Sequence, residues 1–530
     1  SFKEVIVSDG DFTFTRGSNL SATRISASQL IEKGRENVLL QSNSFDTNWI
    51  GSAAIATSGQ SGYDGTNDAW LLTKTADTYA NIRQDITFSG VHTFSVYLKQ
   101  GTNTSAILRT TGGTTAKVEI NLIDGTTSGL TSVVSVKTES IGNNWWRCSL
   151  TLNASSDTAV RIYPEAPLGG ANAGNIYIQD AQLESSLVAT DVIETTTTTG
   201  KAGILENTPR FDYSGGATCP SLLLEPSRTN IFAQSEYFTG GDWDLNAGTT
   251  LTDNYATSPE GVQNATRYVG TGASGLGDKY TLVNGTQYTI SAYVKSNTGA
   301  TQNCRLIGDS SNVSSDLEIT TEWTRIDYTW TSGGLANKTN GLFRDSSNND
   351  IDILIFALQL EAGSYATSYI PTMGVSQTRA SDVCKKTGIS SLIGQTEGTL
   401  YFEGSSDTIG GSTNLINFNF SANSVVINRQ STGAIRALIN TSSAIVLNSS
   451  SVSGVFKVAI AYKNGDSVLY VNGALADSST NSFTFATALT EVNLGTGVTY
   501  FALPNQSKCN QALVFKTRLS NAELASLTTI

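Results

Sequence analysis

The sequence has 530 residues and a mass of 56.0 kDa, which is too long for one hydrophobic core and predicts three or four domains at roughly 150 residues each. Its formal net charge is -12, only 15% of its residues are charged, and its Lys and Arg residues form no basic cluster. Nucleic acid and anionic membrane surfaces are therefore excluded as expected partners, because affinity for either requires concentrated positive charge. No apolar run approaches the roughly 20 residues that span a bilayer, and no export signal is recognisable, so we expect a soluble protein without membrane insertion.

The first predicted domain covers residues 37–187 and follows a lead-in segment, residues 1–36. Runs such as Thr93–Lys99 alternate apolar and polar side chains with a period of two, which is typical of half-buried strands. Clusters of Gly, Asn, Asp and Ser, as at 58–68, separate these runs and predict tight turns rather than helices. Short strands joined in this way bury one face each by stacking two sheets, so we predict an antiparallel β-sandwich of jelly-roll type.

A second copy of this domain is predicted at residues 230–372, after a linker at 188–229. Three stretches correspond between the copies: NVLLQSNSF (37–45) with NIFAQSEYF (230–238), TFSVYLK (93–99) with TISAYVK (289–295), and IYIQDAQLE (176–184) with ILIFALQLE (353–361). Internal repetition of this kind indicates a tandem of like domains.

One tryptophan is expected to occupy the same place in both copies. NWWRCSLTL (144–152) corresponds to EWTRIDYTW (322–330), and equal spacing to the later glutamines matches Trp146 with Trp323. Matched aromatic residues are expected in the core, whereas the unmatched Trp145 is expected to be exposed.

A different domain is predicted at residues 398–530, after a second linker at 373–397. The pairs Asn464-Gly465 and Asn472-Gly473 lie between alternating runs and predict a three-stranded meander, because Asn-Gly favours tight hairpin turns. Ser520, followed three residues later by Glu523, predicts a capping box that opens one short helix. The predicted fold class is all-β, with tandem antiparallel β-sandwiches along the whole chain.

The sequence offers little that is suited to catalysis. His92 is the single histidine, and Tyr288 takes its place in the second repeat, so a space-filling role is predicted for both rings rather than proton transfer. No paired acidic motif of the kind that glycosidases use stands out. The five cysteines are widely spaced, which favours free thiols over disulfides. We therefore predict a non-enzymatic protein.

Aromatic side chains of the first repeat are the candidates for ligand binding. Aromatic rings stack on the apolar faces of sugars, and neighbouring amides and carboxylates bind the hydroxyl groups. The candidates for such a platform are Trp70, Tyr79, Trp145, Tyr163 and Tyr177. The alternative for each is an ordinary place in the core.

Several longer stretches resemble segments of known proteins. LEAGSYATSYIPT (360–372), followed by TRASDV (378–383), resembles a junction that recurs in tail and virion proteins of bacteriophages. PRFDYSGGATCPSLLLEPSRTNIF (209–232) is similar to the segment that introduces a carbohydrate-binding-module-like sandwich in such proteins, and residues 14–32 look like a divergent version of it. The two repeats resemble jelly-roll carbohydrate-binding modules. The last domain, which ends in ALVFKTRLSNAELASL (512–527), resembles laminin-G and concanavalin-A-like sandwiches.

The resemblance implies a virion surface protein of a tailed bacteriophage, assembled in the bacterial host cytoplasm. Such a tail fibre, tail tip or head fibre would present glycan- or receptor-binding sandwiches to the host, with other virion proteins and a host cell-surface glycan as partners. It also implies a homo-oligomer, with a trimer expected. The alternatives are a decoration protein that contacts capsid or tail subunits without binding a receptor, and a secreted polysaccharide-active enzyme with accessory modules.

A structural calcium ion is the one cofactor that the resemblance suggests. Jelly-roll binding modules often hold such an ion with loop carboxylates and carbonyls. Asp180 occupies the late-strand position where that family frequently has an acid, whereas the second repeat has Ala357 there. Asp180 is therefore the candidate metal ligand, and a hydrogen-bonded strand residue is the alternative.

Overall fold

A computed structural model describes residues 12–17, 20–76, 79–169, 173–240, 242–309, 312–406, 411–419, 421–495 and 506–530. Residues 1–11, 18 and 19 of the predicted lead-in lie outside this part. The fold is all-β, with two jelly-roll sandwiches in tandem, as predicted, and a third antiparallel sandwich. Within the described residues, no helix is long and apolar enough to cross a membrane.

The strands are numbered in chain order. The first eighteen are β1 (Thr13–Thr15), β2 (Thr23–Ile25), β3 (Ile31–Lys33), β4 (Arg35–Asn37), β5 (Ile50–Ser52), β6 (Ala54–Gln60), β7 (Ala69–Lys74), β8 (Asn81–Gln100), β9 (Ser105–Gly112), β10 (Lys117–Asn121), β11 (Thr127–Thr131), β12 (Ser135–Gly142), β13 (Trp145–Tyr163), β14 (Asn175–Glu184), β15 (Gly200–Ala202), β16 (Arg210–Asp212), β17 (Ser221–Leu224) and β18 (Arg228–Asn230). A 3-10 turn (Ser214–Gly216) separates β16 from β17.

The strands of the second repeat and the C-terminal part continue this numbering. They are β19 (Asp244–Leu245), β20 (Thr249–Ala256), β21 (Ala265–Gly270), β22 (Gly275–Tyr280), β23 (Gln287–Ser296), β24 (Gln302–Gly308), β25 (Asn312–Val313), β26 (Leu317–Ile319), β27 (Thr324–Thr331), β28 (Lys338–Arg344), β29 (Ile351–Ala362), β30 (Gln377–Arg379), β31 (Val383–Thr387), β32 (Glu397–Ser406), β33 (Thr413–Phe418), β34 (Ser424–Arg429), β35 (Ala434–Asn440), β36 (Ile445–Ser451), β37 (Phe456–Lys463), β38 (Ser467–Val471), β39 (Ala474–Ser479), β40 (Glu491–Leu494) and β41 (Ser507–Phe515), followed by the helix α1 (Asn521–Thr528).

The first sandwich is built around two long strands that run through both of its layers. In one layer, the first half of β8 pairs with the last part of β13, which also pairs with β9. In the second layer, the other halves of β8 and β13 pair with each other, and β13 also pairs with β12 and β8 with β14. The ladder between β8 and β13 is irregular around Asp157, where the strands pass from one layer to the other. Phe94, Val96 and Leu98 point into the core between the layers, as their alternation predicts.

The second sandwich has the same layers in two separate sheets. One sheet has the order β20-β21-β29-β23-β27, and the other contains β19, β22, β28, β24 and β25, with β26 also paired to β24. Its core includes Phe232, Trp243 and Trp330, which pack against the apolar face of β29.

The third sandwich, called here the base sandwich, draws strands from three distant parts of the chain. One sheet has the order β1-β31-β40-β33-β34-β35-β36, and the other β16-β17-β41-β32-β37-β38-β39. Leu222 of β17 lies opposite Cys509 of β41, and Phe14 of β1 lies opposite Cys384 of β31. All four side chains are buried in the base core. The predicted lead-in (1–36) and the predicted linkers (188–229 and 373–397) thus contribute strands of this domain, because their apolar residues fill its core.

Each of the first two sandwiches is inserted into the base through a short two-stranded ladder, which we call a stem. In the first stem β4 pairs with β15, and Asn37 lies opposite Gly200. In the second stem β18 pairs with β30, and Asn230 lies opposite Gln377. The chain therefore leaves the base, completes a sandwich and returns beside its point of departure, twice.

Three local predictions for the C-terminal part are confirmed. β37, β38 and β39 form an antiparallel meander. Asn472 and Gly473 both have positive φ in the second of its turns, as a two-residue hairpin of this kind requires. Ser520 and Glu523 form the reciprocal capping box at the start of α1.

Five buried charged residues meet where the stems leave the base, and we call them the junction cluster: Arg16, Arg210, Glu225, Arg379 and Asp382. Arg210 bonds to Glu225 at 2.7 Å and also to Asp382. Arg379 bonds to Glu225 at 3.0 Å, and Arg16 lies 3.3 Å from Asp382. All five side chains have no solvent exposure. The cluster joins β1, the segment before the second stem and the segment after it.

The junction cluster depends on close pairing because unpaired charges are costly to bury. Burial alone would raise the pKa of Glu225, but Arg379 and Arg210 hold that pKa far below its usual value. Ser368, from the last turn of the second sandwich, adds hydrogen bonds of 2.8 Å and 2.5 Å to the two Glu225 carboxylate oxygens. The second sandwich is therefore fixed to the same charges that close the base.

A second buried ionic group connects the β2–β3 hairpin to the second sandwich. Lys33 lies 2.7 Å from both Glu236 and Glu260, and Tyr369 donates its hydroxyl to Glu236 at 2.8 Å. Burial would lower the pKa of Lys33, but the two carboxylates raise it above its usual value. Burial, together with the neighbouring Glu260, raises the pKa of Glu236. The hairpin cannot leave this site without exposing charges that are paired only here.

Replacing Arg210 with methionine removes one guanidinium from two buried carboxylates. We expect Arg210→Met to lower the unfolding free energy of the transition that includes the base by about 3–5 kcal/mol, the usual cost of breaking a buried ion pair. Urea unfolding followed by far-UV circular dichroism measures this loss. Arg83→Met is the control, because Arg83 pairs with Asp85 at the surface, and such a pair is worth less than about 1 kcal/mol. Equal losses in the two variants would contradict the role given to the junction cluster.

The discontinuous base also predicts which fragments fold. Residues 398–530 alone lack β17 and β31, so β41 and β40 lose ladder partners and the core loses Leu222, Leu224 and Cys384. We expect this fragment to aggregate or to show no cooperative thermal transition. A chain that lacks 231–376, with Asn230 joined to Gln377 by a short Asn-Gly turn, should keep a cooperative transition because the second stem closes directly. Cooperative unfolding of 398–530 by itself would contradict the discontinuous base.

Candidate functional site

The structure separates the five aromatic residues proposed as a sugar platform. Trp70 and Tyr163 are buried, and the indole N–H of Trp70 donates to the Asn43 carbonyl at 3.0 Å. Tyr177 is half-buried, with the ammonium of Lys99 5.2 Å from its ring centroid. Tyr79 presents most of its ring to solvent, with 62% of the residue exposed. A ligand-binding role for these residues stays a prediction, and Tyr79 is the one among them with an open ring.

Trp145 lies in the interior, contrary to the prediction of an exposed ring. It is 1% exposed and packs beside Tyr97 and Tyr177. The strand register explains the error: Arg147 lies opposite Tyr97 in the first repeat, and Arg325 lies opposite Tyr293 in the second. Counting back two residues from each arginine matches Trp145, not Trp146, with Trp323. The glutamine spacing misleads because the path from Arg147 to Gln182 is one residue longer than the equivalent path from Arg325 to Gln359.

Trp146 and Trp323 are both half-buried rather than fully enclosed. The indole N–H of Trp146 donates to the Leu122 carbonyl at 3.0 Å, and the ring packs on the edge of the first core. The indole N–H of Trp323 donates to the Thr257 carbonyl at 3.2 Å, near the first sandwich. The two rings therefore have different surroundings in the two repeats.

Asp180 sits at a bulge in β14, where its backbone has a φ of 49°. Ala357 in β29 has a φ of 57° at the equivalent bulge, so the backbone shape does not depend on the acid. The hydroxyl of Tyr63 donates to Asp180 Oδ2 at 2.9 Å. Burial raises the pKa of Asp180 to about 6, and the nearby Asp68 and Asp64 add to this rise against the effect of Tyr63.

The surroundings of Asp180 do not form a calcium site. Among the described residues, no group of three or more His, Cys, Asp and Glu side chains could hold a metal ion. The neighbouring Asp64 and Asp68 accept hydrogen bonds from Thr66, and the Gln179 side chain donates to Asp68 at 2.9 Å. The donor set around Asp180 therefore does not fit calcium.

His92 packs in the first sandwich near the connection to the second. Its ring lies 5.1 Å from the ring of Phe88, and its Nδ1 is 3.3 Å from the Gly90 carbonyl. Burial lowers the pKa of His92, which favours the neutral imidazole. Tyr288 is buried at the corresponding place in the second sandwich.

A buried polar frame recurs in both repeats and fixes the chain after the last long strand. Glu184 accepts from the backbone N–H and hydroxyl of Thr190, and Glu361 accepts in the same way from Thr367. Asn37 and Asn230 each bond to two backbone N–H groups and two carbonyls near the stems. Their sequence matches between repeats thus have a structural cause.

The same frame positions one arginine in each repeat. The guanidinium carbon of Arg147 lies 5.4 Å from the Tyr97 ring centroid, and that of Arg325 lies 5.5 Å from the Tyr293 ring centroid. Both terminal nitrogens of Arg325 are used, since Nη1 donates to the Thr367 carbonyl at 2.6 Å and Nη2 to Ser291 Oγ at 2.9 Å. Arg147 donates from Nη2 to the Thr190 carbonyl, and its Nη1 has no partner within the described residues. The equivalent arginines therefore differ by one free donor group.

Arg147 lines a groove between the first and second sandwiches. The groove has a volume of about 460 Å³, within the range of roughly 300–1,000 Å³ that is usual for small-molecule sites. Its lining residues are Ser135, Val136, Lys137, Glu139, Arg147, Ser149, Thr151, Leu187, Val188, Ala189, Asn254, Thr257, Gly261, Val262 and Gln263. The wall from the first sandwich is polar and regular, because alternate residues of β12 and β13 face the same side.

The two sandwiches are held at a fixed distance across this groove. The side-chain amide of Asn254, from the second sandwich, donates to Ser135 Oγ at 3.2 Å and to the Leu187 carbonyl at 3.1 Å. At a second contact, the Val91 N–H donates to the Met373 carbonyl at 3.3 Å. Gly90 is required there because a Cβ at this residue would lie 2.3 Å from the Met373 carbonyl oxygen. The two walls of the groove are therefore joined by direct contacts at two places.

Two basic residues and one acidic residue line the groove and give it a net positive charge. Glu139 lies directly opposite Arg147 in the ladder, but its carboxylate pairs with Lys137 at 3.3 Å. The Lys137 and Glu139 side chains are 62% and 55% exposed, so this pair is weak and free to rearrange. Arg147 keeps its free Nη1 beside them.

Sequence reasoning missed these groove residues, although the signals were present. Arg147 and Arg325 occupy the same column of the matched stretches NWWRCSLTL and EWTRIDYTW. In the stretch Ser135–Glu139 every residue except Val136 is polar, so the alternate residues Ser135, Lys137 and Glu139 predict one polar face. The second wall of the groove is not visible in the sequence, because it comes from a different domain.

Comparison with known proteins gives only partial similarities. No protein-family model matches the chain, and no curated protein matches it. The chain is similar to the CBM40 domain of the Ruminococcus gnavus IT-sialidase, bound to alpha2,3 sialyllactose, at 18% identity over 26% of this chain and 84% of that chain, with a TM-score of 0.23. It is similar to the binding domain of botulinum neurotoxin DC, in complex with rat synaptotagmin II, at 14% identity over 28% and 39% of the two chains, with a TM-score of 0.24. A SAP-like pentraxin from Limulus polyphemus shows 12% identity over 25% and 70%, with a TM-score of 0.22.

Replacing Asp180 with asparagine should stabilise the first sandwich above pH 6. Because the pKa of Asp180 is raised to about 6 in the folded protein, the folded state prefers the protonated acid. This stabilisation is fully present below about pH 4 and is lost as the pH rises through about 6. Asparagine stays neutral, accepts from Tyr63 and tolerates positive φ, so Asp180→Asn should gain about 1–3 kcal/mol at pH 8 and nothing at pH 4. Thermal unfolding at both pH values measures the difference.

Asp316→Asn serves as the control of opposite sign. Hydrogen bonds from Ser346 lower the pKa of Asp316, so its ionised form stabilises the fold and its replacement should destabilise the protein at pH 8. If Asp180 instead held calcium, added calcium would stabilise the unmodified protein and not Asp180→Asn. That result would contradict the fit described above.

Proposed function

We propose that this protein is a non-catalytic surface component of a tailed bacteriophage particle that presents β-sandwiches to glycans of the bacterial host. The proposal for the particle depends on the resemblance of LEAGSYATSYIPT (360–372) and TRASDV (378–383) to junctions in virion proteins. The proposal for glycan binding depends on the polar groove between the first two sandwiches. That groove is the observation on which the binding function chiefly relies.

The two motifs that resemble virion junctions supply residues that attach the second sandwich to the base. Arg379 and Asp382 belong to the second motif, and Ser368 to the first, and all three bond within or onto the junction cluster. A cluster without solvent exposure holds the second sandwich to the base in one arrangement. Binding surfaces held in fixed positions, and repeated around a particle, convert weak sites into strong attachment.

A glycan is the ligand class that best suits the groove. Its walls carry hydroxyl, amide and charged groups from Ser135, Ser149, Asn254 and Gln263, which match the hydroxyl groups of a sugar. Sites of this kind bind one sugar weakly and gain strength through multivalency. A trimer, as expected from the resemblance, would supply three such grooves.

A decoration protein remains the second candidate, and exposed apolar residues of the base favour it. Val446 of β36, Val455 and Leu475 of β39 are each about half exposed. Apolar side chains on a protein surface commonly mark contacts with other subunits. In this alternative the base contacts capsid or tail proteins, and the sandwiches act as spacers.

The full-length protein should bind both host cells and a subset of glycans on an array. Saturable binding that soluble host polysaccharide inhibits, together with antibody labelling of the outside of phage particles, is the expected result. Labelled particles without glycan or cell binding would favour the decoration protein. A correctly folded and assembled protein that binds neither glycans nor cells, and is absent from particles, would contradict both candidates. Sedimentation velocity on the same preparation tests the expected trimer.

A further inference from the structure

We infer that the groove between the first two sandwiches binds the carboxylate-bearing residue of an acidic saccharide, with Arg147 and Lys137 as the groups that hold the carboxylate. This inference rests on the proposed glycan-binding function and adds its site and its ligand class. The argument depends on one free donor group, one exposed ammonium group and the shape of the polar wall around them.

The free donor is Nη1 of Arg147. Its guanidinium is immobilised on both sides, because the ring of Tyr97 stacks against it and the Thr190 carbonyl accepts from Nη2. In the equivalent Arg325, Nη1 donates to the Thr367 carbonyl and Nη2 donates to Ser291 Oγ, so both terminal nitrogens have partners. The first repeat thus keeps the arginine but does not satisfy it from within the protein. A guanidinium held in place with a free N–H group is well suited to a carboxylate oxygen.

Lys137 supplies the second positive charge. It lies on β12 opposite Ser149, on the same face of the sheet as Arg147. Its ion pair with Glu139 is exposed, so breaking that pair costs little free energy. A ligand carboxylate can therefore replace Glu139 as the partner of Lys137. The chain as a whole carries a net charge of -12, so a groove with two cations and one anion differs locally from the rest of the molecule. This difference favours an anionic over a neutral sugar.

Polar groups at the other end of the groove complete the site. The Gln263 side chain donates to the Asn254 carbonyl at 3.0 Å, which leaves its amide oxygen to accept from a sugar hydroxyl. Ser149 contributes a hydroxyl beside Lys137, and it accepts or donates as the ligand requires. A carboxylate at the cationic end and hydroxyl groups along the rest of the groove match a pyranose that carries an acid group.

The test compares two sugars that differ only in the acid group. Methyl β-D-glucuronide and methyl β-D-glucoside are titrated into the full-length protein, with saturation-transfer NMR to detect binding and calorimetry to measure affinity. We expect the glucuronide to bind about tenfold more tightly, as one charge-assisted pair provides. Acetate is a third probe, and it should compete only weakly because it lacks the hydroxyl groups. Equal affinity for the two sugars, or full competition by acetate, would overturn the assignment of an acidic saccharide.

Three variants place the binding in this groove. Arg147→Gln should reduce affinity for the glucuronide by about tenfold or more, and Lys137→Gln by a few-fold. Glu139→Gln removes the negative charge and should raise affinity by a few-fold. The last two variants change exposed side chains, so the test holds even if Arg147→Gln unfolds the first sandwich. Lys463→Gln is the control, because Lys463 forms a similar exposed pair with Glu397 in the base and should not affect binding.

The outcomes separate this inference from the function on which it rests. If the three groove variants bind the glucuronide as the unmodified protein does, the site is wrong. If the protein binds other glycans or host cells while these variants have no effect, the proposed function stands and the inference fails. If no glycan and no cell is bound at all, both fail.

Discussion

The arrangement of the whole molecule depends on the requirement that buried charges be paired. Arg210 bonds to both Glu225 and Asp382, and these residues come from segments that are separated by the entire second sandwich. An arginine left alone at this depth would cost several kcal/mol, so the base cannot close with only one of these segments in place. Ser368 of the second sandwich bonds to Glu225, and the second stem begins and ends beside these ion pairs, so they orient the second sandwich. In the same way, buried Lys33 of the β2–β3 hairpin pairs with Glu236 and Glu260 of the second sandwich and fixes the hairpin to it.

Much of the fold was predictable because its signals are local or repeated. The alternation of Thr93–Lys99, the Asn-Gly turns and the Ser520 capping box each involve neighbouring residues. The discontinuous base was not predictable in this way. Strands such as β1 and β16 have only three residues, too few for a periodic pattern, and their partners are far away in the sequence. Charged residues outside the repeats look like parts of solvated linkers in the sequence. Arg210, before the second repeat, and Asp382, after it, are nevertheless fully buried.

The site could be predicted in part only, and the errors have definite physical causes. The path from Arg147 to Gln182 is one residue longer than that from Arg325 to Gln359, so alignment by spacing exchanged the roles of Trp145 and Trp146. Of the five aromatic residues, Trp70, Trp145 and Tyr163 are buried, and a ligand-binding role for the set stays a prediction. The polar groove joins β12 and β13 to a loop of another domain, and no pattern within one repeat indicates such a neighbour. Matched residues in the two repeats describe the shared scaffold, whereas the unequal bonding of Arg147 and Arg325 distinguishes them.

The insertion of two sandwiches into the base has a consequence for synthesis on the ribosome. Ser221 of β17 bonds to Asn510 of β41, a separation of 289 residues. At roughly 5–20 residues per second, β17 is therefore made on the order of half a minute before its partner strand. During this interval both jelly rolls are free to fold. β17 has no β41 to pair with in this time, so its backbone groups on that side are unsatisfied and its leucines are exposed. The base is the last of the three sandwiches to form, because it closes only when β41 pairs with β17 and β32.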